Sequence, residues 1–215
     1  MKIAFIGTGL MGFPMAKNLL EKNLELNVFS RTIEKAKPLE KFGAKISNSL
    51  SEAIKGVDVV ITMLTDDDAV EKVLSDQDFQ ENLKKDSTVI DMSSIKPKIA
   101  IKYGNLLKDK DVNFLDAPVS GGTIGAEQAT LAIMVGGDQK IFDQVKDILK
   151  VMGNPTLVGP IGSGQVSKLA NQIIVGVTIG AVAEAITLCE KAGVDGNKFI
   201  KALEGGFADG KILQN

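Results

Sequence analysis

Hydrophobic and polar residues alternate along the first half of the chain with two different periods. Six short apolar runs predict strands, at residues 2–6, 26–29, 44–46, 57–63, 88–91 and 112–115. The intervening segments have the helical period, and helices are expected at residues 10–21 and 33–42. The run at 57–63 is apolar apart from Asp58 and Thr62, which is typical of a strand buried on both faces of a parallel sheet. Strands that alternate with helices predict an α/β fold with a doubly wound sheet.

The pattern changes near residue 160. Proline and glycine are concentrated at residues 155–164, and residues 165–192 then run without proline or a turn cluster. This predicts a long helix that is apolar on most faces, and such a helix must be surrounded by protein. We therefore predict two domains: a dinucleotide-binding domain at residues 1–160, and the start of an all-α domain at residues 161–215 that is truncated. Because the second domain is too small to close its own core, we expect a homo-oligomer, a dimer or tetramer, built through the long helix.

The composition limits the chemistry that the chain can perform. Its 215 residues include 25 basic and 27 acidic side chains, one cysteine and no histidine. Without histidine there is no Ser-His-Asp triad, no imidazole-bound metal and no histidine general base. The carboxylates at residues 66–68 follow Thr65, and we interpret them as a capped helix start rather than a metal site. An enzyme of this composition must use carboxylates, lysines, hydroxyls or a cofactor.

Charge and hydropathy limit the partners and the location. The net charge of −2 gives no electrostatic reason to bind nucleic acid. The longest apolar stretch, residues 173–183, is too short to span a bilayer, and the apolar run before Gly7 is too short for a secretory signal. Cys189 alone cannot form an internal disulfide, so a reducing compartment fits. We expect a cytoplasmic protein that binds neither nucleic acid nor a membrane.

A glycine-rich turn follows the first predicted strand and opens the first predicted helix. The first glycine of such a turn allows the tight bend, the second lets the backbone approach a pyrophosphate, and the third lets helix and strand pack closely. The helix N-terminus offers free N–H groups to the phosphates. An ordinary glycine turn is the alternative, but the strand–turn–helix context favours a dinucleotide site in a Rossmann-type sheet. The predicted phosphate-binding residues are Gly7, Thr8, Gly9, Leu10, Met11 and Gly12.

The end of the second predicted strand indicates which dinucleotide is bound. An NAD site usually has an acidic residue there, about 20 residues after the glycine turn, which binds the ribose hydroxyls. This chain has Ser30, Arg31 and Thr32 instead. A guanidinium group and two hydroxyls suit a 2′-phosphate, so we predict NADP(H) in preference to NAD(H). The alternative is that Arg31 is a surface charge and Thr32 a helix N-cap.

Lys168 is the best-placed candidate for acid–base chemistry. Together with Gln165 and Asn171 it forms a polar stripe, spaced i, i+3 and i+6, near the start of the predicted long helix. A polar stripe on a buried helix needs a polar partner, and a substrate would be one. A solvated first turn, with a lysine that extends to water, explains the same spacing equally well.

Three segments of the chain carry a resemblance to a known family. Residues 5–19 begin Phe-Ile-Gly-Thr-Gly-Leu-Met-Gly, residues 116–122 are Asp-Ala-Pro-Val-Ser-Gly-Gly, and residues 162–171 are Gly-Ser-Gly-Gln-Val-Ser-Lys-Leu-Ala-Asn. In order and separation they resemble the N-terminal signature, the substrate-binding motif and the catalytic motif of the β-hydroxyacid dehydrogenases, the 3-hydroxyisobutyrate dehydrogenase family. Thr8 stands where leucine is usual.

The resemblance implies an oxidoreductase that interconverts a small β-hydroxyacid and its aldehyde acid by hydride transfer. It implies that Lys168 is the general acid/base and that Asn171 hydrogen-bonds the substrate. The substrate carboxylate would be held by three consecutive residues, Ser120, Gly121 and Gly122. Met63 and Leu64 would line the cofactor path, and Ser94 would contact the nicotinamide or the substrate.

The C-terminal segment bears on the substrate. Residues 205–214 resemble the tartronate semialdehyde (2-hydroxy-3-oxopropionate) reductases of the family. This favours tartronate semialdehyde as substrate, with 3-hydroxyisobutyrate, glyoxylate and succinic semialdehyde as alternatives. Family members normally continue through further helices that carry a Lys-Asp motif, whereas this sequence ends before them. The competing hypothesis is a non-catalytic dinucleotide-binding protein or fragment.

Overall fold

The structure is a computed structural model and describes residues 1–214. Within that range the strands are β1 Ile3–Ile6, β2 Leu26–Phe29, β3 Lys45–Ile46, β4 Val59–Thr62, β5 Thr88–Asp91, β6 Asn113–Asp116, β7 Val119–Ser120, β8 Leu131–Gly136 and β9 Gly153–Gly159. The helices are α1 Gly12–Glu21, α2 Leu50–Ile54, α3 Asp67–Leu74, α4 Gln77–Asn82, α5 Pro97–Lys108, α6 Gly122–Glu127, α7 Gln139–Lys150, α8 Ser163–Lys191, α9 Gly196–Ala202 and α10 Lys211–Gln214. Two 3₁₀ segments cover Ile33–Lys35 and Lys37–Phe42.

The strands form a single mixed sheet. Their order is β3-β2-β1-β4-β5-β6-β8-β7, with β9 paired to β8. The first six strands of this order are parallel, whereas β8 runs antiparallel to β6 and β7. The parallel part has the strand order of the Rossmann fold, with a switch point between β1 and β4. The predicted doubly wound fold class is therefore confirmed.

Both faces of the sheet are covered by apolar side chains. In β1, Ile3 and Phe5 belong to one core cluster, whereas Ala4 and Ile6 belong to the other. This division follows from the pleat, because successive side chains of a strand point to opposite faces. With both faces buried, ligands of such a sheet bind at the carboxyl ends of its strands.

Four elements of the fold differ from the pattern-based expectation. The helix expected at residues 33–42 is two 3₁₀ segments, because Pro38 lacks a donor N–H and restricts the residue before it. Strands β7, β8 and β9 were not predicted. The two residues of β7 are too few to show a period, and β9 contains Pro155, which a strand tolerates at the edge of a sheet.

The chain divides into two compact units, residues 1–168 and residues 169–215. The second unit contains most of α8, which matches the long helix predicted at residues 165–192. Its apolar side chains are exposed: Ile173, Val177 and Leu188 expose 67%, 67% and 70% of their surface. As a whole helix, α8 is long and apolar enough to cross a membrane by length and composition, with a mean hydropathy of 1.8 over its most apolar window. The expectation that no segment could span a bilayer considered only residues 173–183, which are too short by themselves.

Candidate functional site

The glycine turn between β1 and α1 has the local geometry that its sequence predicts. Gly7 has a φ of 100°, and a Cβ there would collide with the carbonyl oxygen of Met63. A Cβ on Gly12 would collide with the carbonyl oxygen of Gly7. By contrast, a Cβ on Gly9 would meet no heavy atom within 4 Å. Gly7 and Gly12 are therefore required by the fold, and Gly9 leaves an open backbone surface beside the helix N-terminus.

The N-terminus of α1 is available to an anion. Within residues 1–214, Met11, the N-cap residue that precedes the helix, makes no side-chain capping hydrogen bond. The first turn of a helix has N–H groups without intrahelical partners, and they suit a phosphate. Thr8 is 3% exposed, and its hydroxyl has no hydrogen-bond partner among the described residues. The open backbone at Gly9 and this unpaired buried hydroxyl fit a dinucleotide pyrophosphate at the turn.

Three segments that sequence analysis assigned to the cofactor share one cleft of about 360 Å³. The predicted residues that line it are Gly7, Thr8, Gly9, Ser30, Arg31, Thr32, Met63 and Leu64. Leu10 instead lines a neighbouring cleft, together with Thr8 and Gly9. Met11 is the N-cap residue of α1 and Gly12 begins the helix, and neither lines these two clefts. The structure thus brings together residues from the ends of β1, β2 and β4, the edge where a Rossmann sheet binds its ligand.

Basic side chains outnumber acidic ones among the residues that line this cleft. Arg31, the only arginine of the chain, lines it with Lys35 and Lys72, and Asp76 is the acidic residue. Lys35 was not predicted, although it follows Arg31 by four residues. Thr32 precedes the 3₁₀ segment Ile33–Lys35, but its side chain makes no capping hydrogen bond. The hydroxyl of Thr32 is therefore not used as the N-cap that sequence analysis weighed.

Ser94 does not line the cofactor cleft. It is exposed and lines a neighbouring depression with the acidic segment 65–68 and Lys96, and Thr65 lines both. Its buried neighbour Ser93 is the residue that contacts the cleft wall, since its Oγ accepts a hydrogen bond from the N–H of Leu64 at 2.9 Å. In the acidic segment, Asp66 rather than Thr65 caps α3. The carboxylate of Asp66 accepts a hydrogen bond from the N–H of Ala69, and this bond lowers the pKa of the Asp66 carboxyl. Residues 1–214 contain no group of three or more His, Cys, Asp or Glu that could hold a metal ion.

Two buried carboxylates lie at the carboxyl ends of adjacent strands. Asp91 ends β5 and Asp116 ends β6, and the two are paired in register. Burial raises the pKa of both carboxyls, and the charge of Asp91 raises the pKa of Asp116 further. Asp91 accepts hydrogen bonds from the hydroxyls of Thr62 and Ser93 at 2.8 and 2.6 Å. Sequence analysis did not predict this arrangement.

The predicted catalytic and substrate-binding residues lie on three elements. Lys168 is half-buried near the start of α8, and burial lowers the pKa of its ammonium. Ser120 ends β7, and Gly121 and Gly122 follow with φ values of 139° and 62°, conformations that only glycine adopts readily. Asn171 is half-buried on α8 in the second unit.

Comparison with known proteins identifies the domains. Residues 2–176 match the family described as the NAD binding domain of 6-phosphogluconate dehydrogenase. Residues 162–215 match the family described as NAD-binding of NADP-dependent 3-hydroxyisobutyrate dehydrogenase. The chain therefore carries an NAD(P)-binding domain followed by the helical region of these dehydrogenases.

Individual relatives cover nearly all of the chain. It is 42% identical to 2-hydroxy-3-oxopropionate reductase from Escherichia coli (strain K12), over 100% of this chain and 74% of that protein. It is 35% identical to a probable mitochondrial 3-hydroxyisobutyrate dehydrogenase-like protein from Arabidopsis thaliana, over 99% of this chain and 72% of that one. The structure of 3-hydroxyisobutyrate dehydrogenase from Mycobacterium tuberculosis with L-serine matches with a TM-score of 0.90 and 32% identity, covering 98% of this chain and 72% of that one.

Proposed function

The chain belongs to the 3-hydroxyisobutyrate dehydrogenase family of NAD(P)-dependent oxidoreductases that act on CH-OH groups, and we propose that it reduces a small aldehyde acid with NADPH, using Lys168 as the general acid. The observation that carries the acid–base proposal is the half-buried lysine near the start of α8. In a chain without histidine, a lysine amine is one of the groups that can exchange a proton with a carbonyl oxygen.

The proton chemistry follows from the two charge states of Lys168. When bound, the nicotinamide cofactor supplies the hydride for reduction or accepts it in oxidation. In reduction the ammonium Nζ donates a proton to the oxygen that becomes the alcohol. In oxidation the neutral amine accepts the proton of the substrate hydroxyl. A free lysine has a pKa of about 10.4, and burial lowers that of Lys168, so the neutral amine becomes accessible at lower pH.

The substrate is held, in this proposal, by residues around α6 and α8. Ser120 offers a hydroxyl, and Gly121 and Gly122 offer backbone N–H groups at an exposed turn where a side chain would strain the backbone. These donors suit a carboxylate, and Asn171 would hydrogen-bond the rest of the substrate. The identity with the Escherichia coli reductase supports tartronate semialdehyde as substrate. The aldehyde acid of 3-hydroxyisobutyrate, glyoxylate and succinic semialdehyde are the alternatives.

The proposal is tested by following NADPH oxidation at 340 nm against this panel of aldehyde acids. We expect turnover with tartronate semialdehyde at the highest kcat/KM. The matched reaction without an aldehyde acid gives the background rate. NADPH binding, measured by its fluorescence, without turnover of any panel member would contradict the proposal and indicate a non-catalytic dinucleotide-binding protein.

Replacing Arg31 with aspartate is expected to lower the preference for NADPH over NADH. The guanidinium is proposed to bind the 2′-phosphate, and charge-assisted hydrogen bonds contribute about 1.5–3 kcal/mol each, so the ratio of kcat/KM values should fall at least about tenfold. The exposed Lys41→Asp variant, which makes the same charge change outside the cleft, controls for long-range electrostatics. An unchanged ratio for Arg31→Asp would mean that the site does not select NADP(H).

We also propose that a second copy of the chain covers the exposed apolar side chains of α8. The helix carries Glu184, Thr187 and Glu190 among those side chains, a mixture that suits a protein interface better than lipid. The lone Cys189 fits a reducing compartment, and we propose the cytoplasm. Light scattering is expected to give at least the mass of a dimer. A monomer, or sedimentation with added lipid vesicles, would contradict this assignment.

A further inference from the structure

The first turn of α8 is held by a buried carboxylate from the sheet. Asp116 is fully buried, and its Oδ1 and Oδ2 accept hydrogen bonds from the N–H groups of Gly162 and Gln165 at 2.7 and 2.9 Å. N–H groups at a helix start lack intrahelical partners, so the carboxylate satisfies them and complements the helix dipole. Gly164 permits this close approach, because a Cβ there would collide with the carbonyl oxygen of Met134. The helix start and the end of β6 are thus in direct contact.

The side chain of Gln165 forms a second anchor. It is 1% exposed, its Oε1 accepts from the N–H of Ile95 at 3.0 Å, and its Nε2 donates to the carbonyl oxygen of Ser93 at 2.8 Å. Ser93 continues the network, since its Oγ donates to Asp91 and accepts from the N–H of Leu64. One chain of hydrogen bonds therefore joins the start of α8 to Leu64, which lines the cofactor cleft.

We infer that Asp116 and Gln165 are positioning residues, which fix Lys168 relative to the cofactor cleft by anchoring the first turn of α8 to the ends of β5 and β6. Lys168 follows Gln165 by three residues and Gly164 by four, so it lies on the same face of the helix one turn later. The inference rests on the proposed acid–base role of Lys168. It adds that the position of this lysine is set by two side chains that act through the helix.

The orientation of the first turn of α8 depends on the hydrogen bonds of the Gln165 side chain. Replacing Gln165 with methionine keeps the length of the side chain and leaves the N–H of Ile95 and the carbonyl of Ser93 buried without a partner. Buried groups without partners are unfavourable, so the helix start would shift to admit water or new contacts. A misplacement of about 1 Å can cost about 100-fold in rate, whereas Gln165 does not line the cofactor cleft and is connected to it only through Ser93 and Leu64.

We expect Gln165→Met to lower kcat by about 10–100-fold while the Kd for NADPH is unchanged. Gln144→Met is the matched control, since Gln144 is exposed on α7. Asp116→Asn is a second variant of the same size. Its amide can accept only one of the two N–H groups, so kcat should fall in the same way. Thermal unfolding identifies folded variants, and a folded Gln165→Met protein with the kcat of the wild type overturns the inference.

A double-mutant cycle separates positioning of Lys168 from a general structural role. In the Lys168→Ala background we expect Gln165→Met to cause no further loss of kcat, because the group that it positions is already absent. Losses that multiply would overturn the inference and leave the proposed function intact. A Lys168→Ala protein with the kcat of the wild type would overturn the proposed function itself, and the inference with it.

Discussion

Replacing Lys168 with alanine is expected to lower kcat for aldehyde-acid reduction by about 10²–10⁴-fold, the usual loss on removing a general acid or base. The Kd for NADPH should not change, because the residues that line the cofactor cleft do not come from α8. Steady-state kinetics with tartronate semialdehyde and NADPH fluorescence measure the two quantities. Lys140→Ala, an exposed lysine of α7, is the matched control and should keep the activity of the wild type.

The pH dependence of the wild type provides an independent check on the same residue. Reduction needs the ammonium form of Lys168, so its rate should fall as pH rises through the pKa of this group, and the rate of oxidation should rise over the same range. Because burial lowers this pKa, both changes should begin below the value of about 10.4 for a free lysine. Both pH dependences should be absent in Lys168→Ala. A folded variant that retains wild-type kcat and its pH profile would exclude the lysine as the acid.

The parts of the fold that sequence analysis predicted are those with a local signal. β4 and β5 are buried along their whole length and have apolar centres, residues 59–61 and 89–90, and the glycine turn is recognised by the spacing of its glycines. β8 and α7 were missed although they carry a local signal, since residues 131–135 are all apolar and α7 places Phe142, Val145 and Leu149 at helical spacing. Pro155 in β9 also opposes a strand unless the neighbouring strand order is known.

The same distinction applies to the site. Arg31 follows the end of β2, about 20 residues after the glycine turn, and this position alone suggests a contact with the cofactor. The hydrogen bonds of Gln165 could not be predicted in this way, because its partners are distant in sequence. Asp116 lies 49 residues and Ser93 72 residues before it. From the sequence alone, the polar stripe on α8 could equally bind a substrate or be a solvated first turn. The hydrogen bonds of Gln165 show that one member of the stripe is an internal anchor rather than a solvated residue.

Alanine substitutions at Gly9 and Gly12 are expected to affect different properties of the protein: Gly12→Ala its stability, and Gly9→Ala its affinity for the cofactor. Gly12→Ala would force a methyl group into the carbonyl oxygen of Gly7, and neither backbone segment can move freely. We expect the free energy of unfolding to fall by about 1–3 kcal/mol, as in other overpacked sites. Gly9→Ala meets no heavy atom within 4 Å, so its thermal unfolding should match that of the wild type.

For Gly9→Ala the expected loss is in cofactor binding. If the pyrophosphate approaches the backbone at Gly9, a methyl group there displaces it from the N–H groups of α1, and the loss of one charge-assisted hydrogen bond corresponds to a Kd for NADPH about 10–100-fold higher. Fluorescence titration measures this Kd, and calorimetry measures the stability of both variants. A Gly9→Ala protein that binds NADPH like the wild type would place the phosphates elsewhere. Since the two glycines belong to one turn, a loss of affinity in a fully stable Gly9→Ala protein can be assigned to the contact with the cofactor rather than to the fold.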